Sequence, residues 1–296
     1  MSDFAPEIRN SAWWSVDSRL AANGKASEAI LIKQGKIIPE DISEKEVVRM
    51  GHVMQPIIGR LAQDRLQIEL KDADYSMTHP REPWLRSHFD FISADGTVLV
   101  EAKNYGSHQA KKFDEDAGLM PDADRVQCIH EATVHGVSTV YLAVLLGGQE
   151  LKVIKVDVTP DMMLEHVQWC AKWWGFVASN TQPEPEDVDQ CRLAYPVSED
   201  LYALANADLE TYCGQLALAS KQRKDLEDYE ETLKTKIMRF MGSRDVLATL
   251  DGNVLATWKS AKASQKFDVK AFQAAYPQMY NQFVRETPGS RRFLIK

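Results

Sequence analysis

Between Glu44 and Asp64 the apolar residues Val47, Met54, Ile58 and Leu61 recur at helical spacing and predict an amphipathic helix, after an earlier one ending near Ile32. The pattern then shortens. Trp84–Ile92 and Thr97–Lys103 are β-prone runs joined by the turn signal Ala94-Asp95-Gly96, which predicts a hairpin. Asp122–His135 reads as a helix closed by Gly136. Val140–Leu146 and Leu151–Val156 read as a second hairpin around Gly147-Gly148. Pro160–Val177 is expected to be helical, with Trp169, Trp173 and Trp174 on one face. A helix, a bent antiparallel sheet and packing helices make an α/β (α+β) domain.

Residues 181–200 interrupt this order. They carry Pro183, Pro185 and Pro196 among Glu184, Glu186, Asp187 and Asp189, so the stretch reads as an acidic linker that continues neither helix nor strand. It separates an α/β domain over 1–180 from a tail over 201–296. In the tail Leu226, Tyr229, Leu233, Ile237 and Phe240 step by three and four, an amphipathic helix of coiled-coil character ending near Gly242. A hairpin turned at Asp251-Gly252, a short helix around Val269–Ala275 and the basic Arg291-Arg292 follow. Packing or oligomer contact is the expected role of the long helix.

Bulk properties exclude some classes. The longest apolar run, Val140–Leu146, is too short to span a bilayer, and MSDFAPEIRN lacks the basic start and apolar stretch of a signal peptide. No membrane association and a cytoplasmic location are expected. Cys128, Cys170, Cys191 and Cys213 are scattered without a CxxC pair, which argues against zinc or iron–sulfur binding and fits a reducing compartment. No Walker-type phosphate loop is present, so ATP use is not implied. The net charge of −8 fits either a solvated acidic surface or an acidic shell around a basic groove, and decides nothing.

The chemistry concentrates in residues 89–103. An acid, Asp90, lies on one predicted strand; Glu101 and Lys103, two apart on the return strand, share a face while Ala102 points away. Pairing of the hairpin brings Asp90 close to both. Two carboxylates offer hard oxygen ligands to Mg²⁺, which offsets charge on a phosphorane-like transition state and makes hydroxide at neutral pH. A lysine beside them orients or helps deprotonate water, its pKa lowered if it is partly buried. The bland alternative is a surface hairpin whose lysine merely bridges to an acid.

Asp90…Glu101-Ala102-Lys103 resembles the PD-(D/E)XK core of the lambda exonuclease and YqaJ-type phage recombination nucleases. Further parts of the chain follow that family in order. Trp14, Arg19 and Ala26-Ser27-Glu28 resemble its opening segment, with an Arg–Ser gap one residue longer. Gly51-x-x-x-Gln55-Pro56 stands where the family has Gly-x-x-x-Glu, and Gln127 where it has a helix glutamine. His130…Gly136…Tyr141-Leu142-Ala143-Val144, the charged tail helix, Thr257-Trp258-Lys259, Phe267-Asp268 and Ser290-Arg291-Arg292-Phe293 extend the likeness over almost the whole chain.

The resemblance implies a restriction-endonuclease-like core, a central mixed sheet flanked by helices, with a helical and hairpin C-terminal extension. It implies 5′→3′ exonuclease action on double-stranded DNA ends with Mg²⁺, or Mn²⁺ in its place, making single-stranded tails for recombination. Asp90, Glu101, the Ala102 carbonyl and Gln55 would hold metal, Lys103 would position water, and Gln127 would support the water or terminal phosphate. Arg19 and Ser27 would grip the 5′-phosphate. A ring-shaped trimer, a single-strand annealing protein as partner and, for a phage gene, the bacterial host cytoplasm are also implied.

Two departures matter. Gln55 lacks the charge of the family's glutamate, so a lower activity, one dominant metal, or a substitute from Glu44, Glu46 or Asp64 is expected. Phe91 stands where a glycine commonly follows the aspartate, and its effect is expected in packing. Gln55 keeps open a decayed DNA-binding accessory; a metal-dependent endonuclease is the other alternative.

Outside this constellation, Arg81, Arg86, Lys111 and Lys112 are candidates for the DNA backbone, against a solubilising role. His88, His108 and His130 are candidate ligands or phosphate contacts, with structural hydrogen bonding the more usual role. Trp13 and Trp14 would stack on a DNA end or, more commonly, pack in the core. Trp169, Trp173 and Trp174 are expected in the core, and the cysteines are expected to be inert.

Overall fold

The sheet is built on residues that the hydrophobic pattern marks as strands, and its layers follow from where each strand's two faces are buried. The structure, a computed structural model, describes residues 6–199, 201–285 and 289–295. Residues 1–5, which carry half of the stretch read for a signal peptide, lie outside them. The chain divides into two units between Tyr195 and Pro196.

The first unit runs α1 (Pro6–Asn10), β1 (Trp13–Trp14), α2 (Ser15–Ala22), α3 (Ala26–Lys33), α4 (Glu46–Leu66), β2 (Leu70–Thr78), β3 (Leu85–Ser93) and β4 (Val98–Tyr105). It continues α5 (Asp122–His135), β5 (Thr139–Leu146), β6 (Glu150–Asp157), α6 (Pro160–Ala178) and α7 (Val188–Ala194). The six strands form one mixed sheet in the order β1-β3-β4-β5-β6, with β2 also paired to β3. The β3–β4 and β5–β6 hairpins are antiparallel as expected, but β4 and β5 are parallel, because α5 carries the chain back to the same end of the sheet. The β2 strand lies outside the two predicted hairpins.

Side-chain alternation sorts the core into two layers. Leu99, Val140, Leu142, Val144, Ile154 and Val156 face a cluster shared with α2, α3, α5 and α6. Val100, Ala143, Leu145 and Val153 face α4 through Ile58 and Ala62. The sheet is therefore enclosed by helices on both faces. Trp13 and Trp14 are fully buried, which places them in the core rather than against a ligand.

Local chemistry sets the ends of these elements. Thr159 accepts from the Met162 N–H and precedes Pro160, which together start α6. Gly136, at φ +87°, stops α5 in a left-handed conformation. The β3–β4 turn is held by Asp95, whose Oδ1 accepts from Ser93 Oγ at 2.6 Å and Thr97 Oγ1 at 2.8 Å. The acidic linker is not wholly irregular: α7 forms between its prolines, started by Asp187, whose side chain accepts from the Gln190 N–H at 2.8 Å.

The second unit contains α8 (Ala207–Met241), β7 (Val246–Ala248), β8 (Val254–Thr257), α9 (Val269–Ala275) and α10 (Pro277–Phe283). Asn206 accepts from Leu209 N–H and starts α8 some five turns before the seam read from the sequence. The seam residues Leu226, Tyr229, Leu233, Ile237 and Phe240 are exposed. Among the described residues no helix is long and apolar enough to cross a membrane.

Candidate active site

On one side of β3 the ladder has a gap. The short strand β1 pairs with Leu85 and Arg86, while β4 pairs with Phe91 and Ile92. Among the described residues no ladder partner covers residues 87–90 on that side, because β4 diverges beyond Val100 and follows β5. At the fork a side chain takes over the backbone's work: Asp90 Oδ2 accepts from the Ala102 N–H at 2.9 Å. Asp90 Oδ1 accepts from Gln55 Nε2 on α4 at 2.8 Å.

The close approach of α4 depends on Gly59. A Cβ there would lie 2.4 Å from the Phe91 ring, so the helix can pass over this strand only without one. Phe91 and Gly59 are therefore a matched pair. The aromatic residue after the aspartate acts in packing, as its sequence position led us to expect.

On β4, Glu101 and Lys103 share the face toward α5, and Ala102 joins the opposite, α4-side cluster. Lys103 Nζ is ion-paired with Glu101 Oε1. Gln127 Nε2 on α5 donates to Glu101 Oε1 at 2.6 Å and to Glu131 Oε1 at 3.0 Å. Glu131, 1% exposed, is the residue that sequence reasoning missed. Its signal was the i,i+4 spacing from Gln127, which puts both on one helix face. Glu44 and Glu46, weighed as substitutes for the missing helix glutamate, are exposed, as is Asp64. The geometry brings in Glu131 instead, from the opposite face of the sheet.

Three carboxylates thus face one ammonium. Burial, and next the Glu101 charge, push the Asp90 carboxyl up to about 8. Burial, with Glu101 and Asp90, pushes the Glu131 carboxyl well above the usual range. For Lys103 burial opposes the charge, but the Glu101 charge and hydrogen bond, with Asp90, outweigh it and raise the pKa. The expected lowering of Lys103 does not occur, because its burial comes with a paired carboxylate. A buried excess of negative charge with hard oxygen donors fits a divalent cation such as Mg²⁺.

Two residues farther along the same face of β4, Tyr105 donates to Asp124 Oδ1 at 2.9 Å and accepts from Arg19 Nη2 at 2.8 Å. Arg19 Nε also donates to Asp124 Oδ1 at 2.9 Å, and its side chain stays one-third exposed. Arg19 therefore stands just beyond Lys103 along the strand. Ser27 is half-buried in the first turn of α3 and hydrogen-bonds no member of the carboxylate centre among the described residues. Arg86 lies roughly 13 Å along β3 from Asp90. Its guanidinium carbon sits 4.9 Å from the Trp14 ring centroid, and its buried Nε has no hydrogen-bond partner among the described residues. His88 Nδ1 meets Ser76 Oγ of β2 at 3.2 Å. Arg81, Lys111 and Lys112 are exposed, and His130 belongs to a separate buried cluster.

No protein-family model matches the chain, and no curated protein matches it. Among solved structures it is similar to the alkaline exonuclease LHK-Exo from Laribacter hongkongensis, at 10% identity and a TM-score of 0.46, over 59% of this chain and 91% of that one. The complex of LHK-Exo with dAMP matches with a TM-score of 0.47 at 10% identity, over 61% and 94%. A phage-related exonuclease from Haemophilus somnus matches at 10% identity and 0.40, over 55% and 82%. At such identities and scores the likeness says what the chain is similar to, and decides neither its site nor its reaction. The fold and the site by themselves define a mixed α/β domain with a buried carboxylate–lysine centre at a strand fork.

Proposed function

We propose that the chain is a Mg²⁺-dependent deoxyribonuclease that hydrolyses phosphodiester bonds of duplex DNA from its ends, in the 5′→3′ direction. The observation that carries the reading is the convergence of Asp90, Glu101 and Glu131 on Lys103 and Gln127 in one buried centre. Asp90, Glu101 and the Ala102 carbonyl would hold the cation, which supplies Lewis acidity at phosphorus and a bound water of lowered pKa. Lys103, held as an ammonium, orients the attacking water and offsets charge on the non-bridging oxygens. Gln127 fixes the orientation of Glu101, and Glu131 fixes Gln127. As water adds to phosphorus it gives up a proton to solvent, the P–O bond to the leaving oxygen breaks, and that oxygen takes a proton from solvent. Arg19, braced by Asp124 and Tyr105, is placed to hold a terminal phosphate. End preference, polarity, a trimeric ring and an annealing partner rest on the family resemblance.

Gln55 favours a second reading, a DNA-binding accessory with a weakened centre, since its amide donates to Asp90 where a carboxylate would bring charge. Glu131 supplies a carboxylate that this reading lacks. The test is digestion of linear 5′-phosphorylated duplex with Mg²⁺, with and without EDTA, beside a closed circle. Loss of the linear DNA alone, abolished by EDTA, is expected. Cutting of the circle would make the enzyme an endonuclease, and DNA binding without digestion would favour the accessory.

A further inference from the structure

A second buried cluster lies at the other end of the β3 gap and takes no part in the proposed hydrolysis. His130 of α5, His166 and Cys170 of α6 and Ser18 of α2 point their polar atoms at one another. His130 Nδ1 is 3.1 Å from His166 Nε2, His166 Nε2 is 3.2 Å from Cys170 Sγ, and Cys170 Sγ is 4.0 Å from His130 Nδ1. An ion a little off the plane of these three atoms lies about 2.0–2.3 Å from each, the range of Zn–N and Zn–S bonds, with the 4.0 Å side widening the angle between His130 and Cys170. Ser18 Oγ closes the fourth side, 2.8 Å from His130 Nδ1 and 3.3 Å from Cys170 Sγ.

The surroundings point the same way. His130 Nε2 donates to the Arg86 carbonyl at 2.9 Å, which leaves Nδ1 unprotonated with its single lone pair aimed into the cluster. Ser18 Oγ, His166 Nε2 and, farther off, Cys170 Sγ surround that one lone pair. Trp13 Nε1 donates to Ser18 Oγ at 3.0 Å and holds the hydroxyl in place. All four residues are buried, and both imidazoles are kept neutral by that burial, the state in which histidine ligates. His166-x-x-x-Cys170 is an i,i+4 pair on one helix face; the other ligands come from distant segments, which is why cysteine spacing gave no sign of a site.

We propose that Ser18, His130, His166 and Cys170 form a structural site for a tetrahedral, borderline-soft cation, Zn²⁺, which pins α2 and α6 to α5 independently of the nuclease reading. Nitrogen and sulfur donors select Zn²⁺ over the Mg²⁺ that suits the oxygen-rich centre. The Cys170 thiol releases its proton to solvent as it ligates.

The test uses the full chain carrying Cys191→Ser and Cys213→Ser, so that only buried thiols remain, stripped with chelator and titrated with Co²⁺ and Zn²⁺. One equivalent is expected, with a thiolate-to-cobalt charge-transfer band that Zn²⁺ abolishes and a Tm rise of about 10 °C at saturating Zn²⁺. Cys170→Ser should remove the band, His166→Gln should weaken Zn²⁺ affinity at least about 100-fold, and Glu101→Ala should leave both unchanged. Absence of the band from the parent protein overturns the site whether or not any variant folds. So does a band that survives Cys170→Ser, or Zn²⁺ binding lost only with Glu101.

Discussion

Two buried polar centres share helix α5 and differ in what burial does to them. Glu131 and His130 are sequence neighbours, yet one belongs to an oxygen-rich cluster with surplus negative charge and the other to a neutral cluster of nitrogen, sulfur and hydroxyl. In the first, burial and the neighbouring charge raise the Asp90 and Glu131 carboxyls. In the second, burial strips protons from the imidazoles. Buried charge without a full complement of partners is the costly arrangement, and its presence beside Lys103 is what the proposed function rests on.

The largest expected effect separates the two centres by activity. Glu101→Ala should lower hydrolysis by about a thousandfold or more while leaving the histidine–cysteine cluster intact, read as initial rates on linear duplex. Glu131→Gln should cost about 10–100-fold in kcat with little change in KM for DNA, whereas Asp64→Asn should act like the parent protein. Equal rates for the parent and Glu131→Gln would remove Glu131 from the site.

The packing that serves only the carboxylate centre comes next. Gly59→Ala should destabilise the protein by about 1–3 kcal/mol in urea unfolding, and Phe91→Leu in the same chain should recover part of that loss. Additive effects of the two changes would show that the contact is not shared.

The last contrast is a pair of opposite pH slopes, measured as Tm in EDTA. Asp90 holds its proton up to about 8 when folded but only to ~3.9 when unfolded. The folded state then binds the extra proton, so stability falls as pH rises between those values. His166, at about 4 folded against 6.5 free, has its contribution complete above 6.5 and loses it as pH falls toward 4. Asp90→Asn should flatten the fall on the alkaline side, and His166→Gln the loss on the acid side. A variant that leaves its own slope unchanged would refute the assignment for that centre.

The β3–β4 hairpin, with Asp90, Glu101 and Lys103, was legible because period-two alternation and a strong turn signal lie within fifteen residues. The α6 boundary was legible for a similar reason, a Thr-Pro start. Leu70–Thr78 was not: it is broken by an irregularity between Asp72 and Tyr75, and only from Ala73 on do apolar residues, Ala73, Tyr75 and Met77, alternate with polar ones. Gln127 was placed by the family resemblance, and Glu131 follows from it one turn on along the same helix face; local pattern alone does not encode the parallel crossover that turns this face to the sheet. The same crossover, joined to α2 and α6, assembles the histidine–cysteine cluster from residues up to 152 positions apart.

The Gly59–Phe91 contact also constrains how such a sequence can change over generations. A ring at position 91 and a Cβ at position 59 exclude each other, so the two positions cannot drift independently. From an ancestor with glycine after the aspartate, the passable route loses the helix side chain first, at about 1 kcal/mol for glycine in a helix, and gains the ring second. The opposite order passes through a clash beside Asp90. Relatives of this chain should therefore covary at these two positions, with a bulky residue at one only where the other is glycine.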